Sequence, residues 1–283
     1  MFDTPIALFI FNRPELTRQT FAAIAQMKPK YLAVVADGPR DSRDVELCTA
    51  ARNIATNVTW PCELICLFSE INLGCKRRVA SGIDWVFKLF DRALILEDDC
   101  VPAASFFPFC KALLERYADD ERVTMIGGSA LHGGNSGSFS YSFSRYPLIW
   151  GWASWRRAWI GYDEDMSQWP EDRDGNWLEK WLPDKGERDY WYERFDSTFA
   201  RQSTWDYQWI LHCWRRAGLT ALPSINLVTN IGFGSDATHT RSPSDAARLS
   251  VPSGSMQFPL RHPPEIVRDG ELDARIFREI FKP

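Results

Sequence analysis

Three adjacent carboxylates, Glu97, Asp98 and Asp99, directly follow a short apolar run from Ala93 to Leu96. An apolar run of this length that ends in turn signals is typical of a buried strand in a parallel sheet. Because alternate side chains of a strand point to opposite faces, Glu97 and Asp99 are expected on one side and Asp98 on the other. Three crowded negative charges repel one another, and a hard divalent cation with oxygen ligands would relieve that repulsion. The alternative is an acidic strand-to-loop transition that lies in water.

Polar residues also follow three other predicted strands. These strands and their polar residues are 6–11 with Asn12 and Arg13, 31–36 with Asp37, and 64–68 with the stretch from Asn72 to Arg77. Strands that alternate with helices predict a parallel sheet covered by helices, and right-handed crossovers bring its strand ends to one edge. Ligands of open α/β sheets bind outside that edge. The sequence therefore predicts a ligand site there, and the acidic triplet belongs to it.

Apolar periodicity predicts the remaining elements. Helices are expected to begin at Pro14 and to cover 79–90, 106–117, 187–199 and 205–216, with further strands at 123–126 and 223–228. The chain after Ser242 is rich in proline and serine, which indicates an irregular tail with a short final helix at 274–281. The fold class that follows is α/β, with a mostly parallel sheet flanked by helices.

Tryptophan is concentrated in the second half of the chain. Eleven of the 13 tryptophans lie between Trp150 and Trp214. Most of these rings must be core, because large aromatic side chains dominate burial. The run Trp150-Gly151-Trp152 nevertheless places indoles on both sides of a glycine, and aromatic faces on a cleft wall suit flat, polar-edged ligands such as sugars. We expect at least one of these rings to face a ligand.

Composition limits the classes of function. The chain has 283 residues and a net charge of -4, which gives no electrostatic case for nucleic acid as a partner. The apolar stretch from Pro5 to Phe11 is too short for a membrane span and lacks the basic region of a signal peptide, so a cytoplasmic location is expected, with peripheral membrane contact at most. The 7 cysteines are scattered and are expected to be free thiols, without structural zinc.

Four of these motifs together resemble a known family. The strand that ends in Glu97-Asp98-Asp99, the early Asp37, the Asn72-Leu73-Gly74 loop and the later Trp205-Asp206-Tyr207-Gln208-Trp209 are similar to those of nucleotide-sugar glycosyltransferases with the GT-A fold. Within that fold the chain resembles the N-acetylglucosaminyltransferase I type and bacterial haemolysin-like glycosyltransferases. The resemblance covers about residues 1–240, and it implies a Rossmann-like GT-A sheet.

The resemblance implies a role for each matching residue. The nucleotide sugar would contact Phe11, Asn12, Arg13, Asp37, Gly74, Lys76, Arg77, Glu97 and Asp98. Asp37 would accept a hydrogen bond from the base, and Asp99 would bind Mn²⁺ or Mg²⁺. Asp206 matches the position of the general base, His239 would reach the metal or the diphosphate, and Trp150, Gly151 and Trp152 would contact the acceptor or the donor sugar. The triplet departs from the family's DxD motif in beginning with Glu97, so Glu97 is assigned to the donor.

The resemblance also implies a division of the chain and a set of partners. Residues 1–126 would bind the nucleotide sugar, 127–240 would bind the acceptor and supply the catalytic base within the same domain, and 241–283 would form the tail. The expected donor is a nucleotide-diphosphate sugar, UDP-linked before GDP-linked, although Asp37 could accept from uracil or guanine alike. The expected acceptor is a glycan or lipid-linked hydroxyl in surface polysaccharide or lipopolysaccharide synthesis.

The expected chemistry is consistent with these residue types. A sugar diphosphate leaves as a dianion, which a cation at Asp99 and positive charges at Arg13, Lys76 or Arg77 would stabilise. The attacking hydroxyl must lose its proton, and Asp206 as general base would give a single displacement with inversion.

Three alternatives stay open at the level of sequence. A sugar-nucleotide pyrophosphorylase uses a related sheet, but no glycine-rich, arginine-containing phosphate loop follows the first strand. A two-metal phosphohydrolase would need a second carboxylate and histidine set at metal spacing, which we do not find. A carbohydrate-binding or inactive homologue would need the tryptophans but not Asp99 and Asp206 together.

Overall fold

A computed structural model describes residues 1–131, 138–233 and 249–281 of the chain. Its strands are β1 (Ile6–Ile10), β2 (Tyr31–Ala36), β3 (Glu63–Phe68), β4 (Arg92–Glu97), β5 (Cys100–Pro102), β6 (Val123–Gly127), β7 (Tyr141–Ser144), β8 (Trp152–Trp155), β9 (Leu219–Pro223) and β10 (Val228–Asn230). Its helices are α1 (Pro14–Met27), α2 (Ser42–Thr56), α3 (Gly74–Leu89), α4 (Phe106–Arg116), α5 (Arg156–Trp159), α6 (Trp169–Asp174), α7 (Trp177–Trp181), α8 (Lys185–Arg201), α9 (Asp206–Arg215) and α10 (Gly270–Ile276), with a π-helical turn at Phe277–Phe281.

The central sheet of the described residues has eight strands in the order β3-β2-β1-β4-β8-β6-β9-β7. β1 to β4 pair in parallel, whereas β8 runs antiparallel to both of its neighbours, β4 and β6. β9 is parallel to β6, and β7 is antiparallel to β9, so only β7 and β8 run against the common direction. The predicted α/β fold with a mostly parallel sheet flanked by helices is confirmed, and it is consistent with a GT-A-like arrangement.

Helix α3 packs tightly on this sheet because it carries a glycine where it crosses β1 and β2. A Cβ atom at Gly82 would lie 2.5 Å from the Phe9 ring and 2.7 Å from the Val35 side chain. Val79, Ile83 and other apolar residues of the same helix are buried on this side. The close approach holds the first turn of α3, which carries Gly74 to Arg77, next to the ends of β1 and β2.

Among the elements that the sequence did not predict, α2, β7 and β8 have weak or hidden patterns. The buried face of α2 carries Asp44, Cys48 and two alanines, so it lacks the large apolar residues that reveal a helix. β8 is buried along its whole length and therefore shows no alternation. β7 is a four-residue edge strand.

The strand expected at 223–228 is wrong. This segment connects β9 to β10, which pairs with β5 in a separate two-stranded ribbon. Asn226 holds the connection, because its side chain donates to the carbonyls of Val228 and Val251 and accepts from the amide of Ala130. A buried asparagine that binds backbone in this way replaces strand pairing.

The tail returns to the edge of the sheet at β7. Arg268 forms an isolated parallel β-bridge with Phe143. Asp273 of α10 is 0% exposed, and its Oδ1 accepts from the hydroxyl of Ser144 and from the backbone amide of Arg145. The final helix thus begins before the predicted 274–281 and ends in the π-helical turn. Among the described residues, no helix has the length and apolar character that a membrane span requires.

Candidate active site

The register of the parallel strands brings the predicted polar clusters to one edge of the sheet. Phe9 pairs with Glu97, Ile10 pairs with Ala36, and Ala36 pairs with Phe68. The residues after β1, β2, β3 and β4 therefore meet at the carboxyl edge. This is the edge where the sequence predicted a ligand site.

Arg13 joins the first of these clusters to the acidic triplet. Its Nε lies 3.3 Å from Oδ2 of Asp98, its Nη2 donates to Oδ1 of the same carboxylate, and its Nη1 lies 2.9 Å from Oδ2 of Asp99. Asp98 is only 2% exposed, and Thr20 donates to its backbone carbonyl. Nε and Nη2 of the guanidinium thus neutralise the buried carboxylate of Asp98, while Nη1 contacts the more accessible carboxylate of Asp99.

The crowding of charge perturbs the protonation of the triplet. Burial, reinforced by the charges of Asp99 and Asp98, raises the pKa of Glu97 to about 8. Burial also raises the pKa of Asp98, to about 6, against the opposing effect of Arg13. Burial acts to lower the pKa of Arg13, but the carboxylates of Asp98 and Asp99 outweigh it and leave that pKa raised. Without a further positive charge, Glu97 therefore holds its proton at neutral pH.

The β5–β10 ribbon fixes the position of Asp99. The amide of Ile231 donates to the carbonyl of Asp99 at 2.8 Å, and Asn230 accepts from the amide of Gly232 at 2.8 Å. A Cβ atom at Gly232 would clash with Oδ2 of Asp99, so any larger residue here would displace the carboxylate. Gly232 was not among the predicted site residues, although it lies only four residues after the segment predicted as a strand.

Asp37 is fully occupied by protein donors. Its Oδ1 accepts from the amides of Gly38 and Leu73, both at 2.9 Å. Its Oδ2 accepts from the amide of Gly74 and the side chain of Asn72, both at 3.0 Å. Two bonds to each oxygen use the lone pairs of the carboxylate. Asp37 therefore braces the Asn72 loop, and a nucleobase N–H could bind it only by displacing one of these donors.

The first turn of α3 contains the other predicted phosphate contacts. Gly74 has φ +77°, a left-handed conformation that favours glycine. Lys76 is buried, and its Nζ donates to Asp165 and Gln202, each at 2.7 Å. Lys76 thus connects α3 to the second half of the chain. Arg77 is exposed and has no ion-pair partner within residues 1–131, 138–233 and 249–281.

Phe11 and Asn12 belong to a polar cluster that the sequence analysis did not predict as a whole. Asn12 donates to Oδ1 of Asp44 at 2.7 Å, and Arg40 binds the same carboxylate through Nε at 2.6 Å and Nη2 at 3.1 Å. These bonds, that to Arg40 first, lower the pKa of Asp44 well below its usual range. The Arg40 guanidinium lies 5.2 Å from the centre of the Phe11 ring. Asp44 was missed because α2 was not predicted.

Asp206 is the first residue of α9. Its Oδ1 accepts from the amide of Tyr207 at 2.9 Å and from the hydroxyl of Thr204. Its Oδ2 accepts no hydrogen bond in the part of the chain that the structure describes. The helix N-terminus stabilises its negative charge. The charge of Asp206 contributes to the raised pKa of both Glu97 and Cys75, so the Asp206 carboxylate lies within electrostatic range of both groups.

The tryptophans predicted to contact ligand have different environments. Trp152 is 1% exposed and stacks on Trp205 with ring centroids 5.9 Å apart, so it belongs to the core and does not line the cleft. Gly151 has φ +64°, and a Cβ atom there would clash with Val228. Trp150 is half-buried and packs edge-on against Phe233 at 5.7 Å. Of these three residues, only Trp150 has an indole that can reach a ligand.

The donor set at the strand end is suited to a divalent cation that also binds phosphate. No group of three or more His, Cys, Asp and Glu residues among those described could hold a metal ion by itself. Mg²⁺ is usually held by one or two carboxylates together with phosphate oxygens and water. Asp99 and Glu97 could supply the carboxylates, and a diphosphate would supply the phosphate oxygens. Asp98 is committed to Arg13. The predicted ligand His239 lies outside the described residues.

Comparison with solved structures gives distant likenesses. The chain is similar over 51% of its length, and 64% of the other chain, to UDP-glucose pyrophosphorylase complexed with UDP-glucose (11% identity, TM-score 0.27). It is similar over 90% of its length, and 95% of the other chain, to mouse xyloside xylosyltransferase 1 (9% identity, TM-score 0.38). It is similar over 79% of its length, and 74% of the other chain, to mannose-1-phosphate geranyltransferase from Thermus thermophilus (13% identity, TM-score 0.37).

These likenesses concern the fold alone. The chain spans less than two thirds of the length of the pyrophosphorylase, and all three TM-scores are below 0.5. No protein-family model matches the chain, and no curated protein matches it. The function of this chain must therefore be inferred from its own site residues.

Proposed function

We propose that this protein is a glycosyltransferase that moves a sugar from a nucleoside-diphosphate donor to a hydroxyl group. The observation that carries the proposal is the acidic strand end at the carboxyl edge of the sheet, where Arg13 pairs with Asp98 and Asp99 and where the charge of Asp206 is close enough to act on Glu97. Arg13 would supply positive charge beside Asp99, and Trp150, whose ring packs against Phe233 next to Gly232, would supply an aromatic face. Sugar transfer needs each of these: charge for a diphosphate, a base for a hydroxyl and an apolar face for a sugar ring.

The donor would lie across the ends of β1, β2 and β4. Phe11 and Asn12 would border the base, Glu97 would accept from a ribose or sugar hydroxyl, and Arg13, held by the buried Asp98, would donate to the diphosphate. Gly74 leaves room for close approach at the first turn of α3, and the exposed Arg77 adds positive charge there. UDP is our first choice of nucleotide. A location at the cytoplasmic side and an acceptor in surface glycan synthesis remain parts of this proposal.

Asp206 would act as the general base. Its Oδ2 is free to accept the proton of the acceptor hydroxyl, while Thr204 and Tyr207 hold Oδ1 and so fix the orientation of the carboxylate. The acceptor oxygen attacks the anomeric carbon as the bond to the diphosphate breaks, which inverts the configuration of that carbon. Arg13 stabilises the negative charge that develops on the leaving group.

Asp99 and Glu97 would hold Mn²⁺ or Mg²⁺, and such a cation, when bound, supplies further neutralisation of the leaving diphosphate. Binding of a cation there would also favour the ionised form of Glu97, whose pKa is otherwise raised.

A thermal-shift panel tests the proposal. UDP-, GDP-, dTDP- and CMP-sugars are each added with and without Mn²⁺, because a ligand that binds the folded state raises the midpoint of unfolding. We expect stabilisation by one class of nucleotide-diphosphate sugar that increases with Mn²⁺. The product is then identified: a transferase releases nucleoside diphosphate, whereas a pyrophosphorylase forms nucleoside triphosphate from pyrophosphate. Stabilisation by free oligosaccharides but by no nucleotide sugar would instead indicate a carbohydrate-binding protein.

A further inference from the structure

We propose that Arg13 competes with the divalent cation for Asp99, so that cation and nucleoside diphosphate bind cooperatively. The proposal rests on the proposed function, and it concerns what Arg13 does before either ligand is bound. Arg13 would hold Asp99 closed to the cation alone, and a diphosphate would release it.

The two ends of the Arg13 contact are unequal. Toward Asp98 the guanidinium uses both Nε and Nη2, and that carboxylate is 2% exposed. Toward Asp99 it uses Nη1 alone, at 2.9 Å, and the side chain of Asp99 is 14% exposed. The bidentate, buried contact anchors the side chain, whereas the single contact at the accessible carboxylate is the one that can be exchanged.

Asp99 cannot easily turn away from Arg13. The backbone of Gly232 lies against its carboxylate, and Ile231 binds its carbonyl, so the range of positions open to Oδ2 is small. A cation at this oxygen would therefore lie close to the guanidinium. Two positive charges at such a distance repel strongly in a partly buried site.

A diphosphate removes this conflict. Its oxygens accept from Nη1 of Arg13, which then no longer needs the Asp99 carboxylate as a partner. The same diphosphate also supplies negative charge between the guanidinium and the cation. Asp99 thus becomes available to the cation once the diphosphate is bound. By linkage, the cation must increase the affinity for the nucleotide by the same factor by which the nucleotide increases the affinity for the cation.

The test is the affinity of Mn²⁺ for the protein without nucleotide, measured from the loss of the free Mn²⁺ signal in electron paramagnetic resonance. In the wild-type chain we expect weak binding of Mn²⁺ alone, and UDP affinity that rises on the order of tenfold or more when Mn²⁺ is added. In Arg13→Gln we expect Mn²⁺ alone to bind on the order of tenfold more tightly than in wild type, UDP to bind more weakly, and the coupling between them to fall to the part that direct contact of cation and diphosphate supplies. A residue that only contacts phosphate would not raise the affinity for Mn²⁺ when it is removed.

Two further variants control for folding and for charge. Arg13→Lys keeps one positive charge beside the buried Asp98, so it preserves the fold if Arg13→Gln does not, and Mn²⁺ affinity should lie between those of wild type and Arg13→Gln. Arg18→Gln removes an exposed guanidinium of α1, the helix that follows Arg13; Arg18 pairs only loosely with Glu15, and the change should alter neither affinity. Unchanged Mn²⁺ affinity in both folded Arg13 variants would overturn the proposal. Failure of every nucleoside diphosphate to bind, with Mn²⁺ affinity still raised in Arg13→Gln, would support Arg13's control of Asp99 and refute the proposed function.

Discussion

At the scale of single residues, the site depends on which carboxylate oxygens remain free to accept. Asp37 accepts four hydrogen bonds, and Asp98 is held by Arg13 and buried. Glu97 accepts no hydrogen bond from a described residue, and neither does Oδ2 of Asp206. Carboxylates that look equivalent in sequence thus divide into structural groups and groups available to ligands.

Replacing Asp37 by Asn tests its structural role. The amide can accept at one oxygen only, and its NH₂ group would face two backbone or side-chain donors. Because buried donors left without an acceptor cost about 1–3 kcal/mol each, we expect unfolding free energy to fall by about 3 kcal/mol in urea titration. Asp91→Asn, at an exposed surface pair with Arg156, should change it little. A change below about 1 kcal/mol, with a specific loss of nucleotide affinity, would restore the base-binding role to Asp37.

Gly232 provides a second test at this scale. In Gly232→Ala the new Cβ would lie 2.2 Å from Oδ2 of Asp99, so the carboxylate must move. Misplacement of a reacting group by about 1 Å can reduce the rate about 100-fold, and we expect kcat to fall at least about tenfold while the fold persists. At Gly254 a Cβ has ordinary contacts of 3.6 Å, so Gly254→Ala is the control. Equal kcat in the two variants would contradict the placement of Asp99.

The sequence predicted where charge gathers but not how each charge is used. The residue types and the predicted strand ends were enough to predict that Asp37, Asp98 and Asp99 lie at one edge of the sheet. Whether a carboxylate is free depends on backbone amides from other loops, such as those of Leu73 and Gly74, and on contacts such as Gly232 to Asp99. No local pattern encodes these contacts, because their partners are distant in sequence.

At the scale of elements, the proposed function assigns the donor to the ends of β1 to β4 and the general base to α9. The first four strands were predictable because each is an uninterrupted apolar run. α2 and β8 were not, because one has a small polar face and the other is buried throughout. The β5–β10 ribbon depends on antiparallel pairing between segments more than 120 residues apart (Asn230 with Cys100), which periodicity cannot indicate.

Replacing Lys76 tests the connection between α3 and the second half of the chain. Its Nζ ties α3 to Asp165 and to Gln202 at the end of α8. In Lys76→Met we expect stability to fall by about 1–3 kcal/mol, since hydrogen bonds to a charged group are lost, while UDP affinity changes less than threefold. Isothermal titration with UDP measures the second quantity. A loss of UDP affinity of tenfold or more without loss of stability would show instead that Lys76 binds phosphate.

At the scale of the whole molecule, the tail closes the edge of the sheet that lies far from β1. Asp273 enters a buried group with Ser144 and Arg145, and Arg145 also binds Glu187 of α8. The chain end therefore joins the sheet to the helical second half. The sequence predicted an irregular tail but not this contact, because a lone aspartate in a short helix has no distinguishing pattern.

The buried Asp273 in the tail should make the free energy of unfolding depend on pH. Burial raises the pKa of Asp273 to about 6, above its unfolded value, against the effects of Ser144 and Arg145. The folded state then binds more protons between about pH 4 and pH 6, so this group's contribution to stability falls as pH rises through that window. The difference in unfolding free energy between wild type and Asp273→Asn should fall by up to about 3 kcal/mol from pH 4 to pH 6.5. Parallel pH profiles of the two proteins would contradict this.

The central claim is that Asp206 removes the acceptor's proton in a site that binds the donor independently of it. The direct measurement is the rate of nucleoside diphosphate release by Asp206→Asn, with the donor from the thermal-shift panel and its acceptor, alongside the donor's dissociation constant. We expect the rate to fall about 10²–10⁴-fold, as is usual for loss of a general base, with donor affinity within about threefold of wild type. An Asp206→Asn variant that transfers sugar at the wild-type rate would contradict the claim.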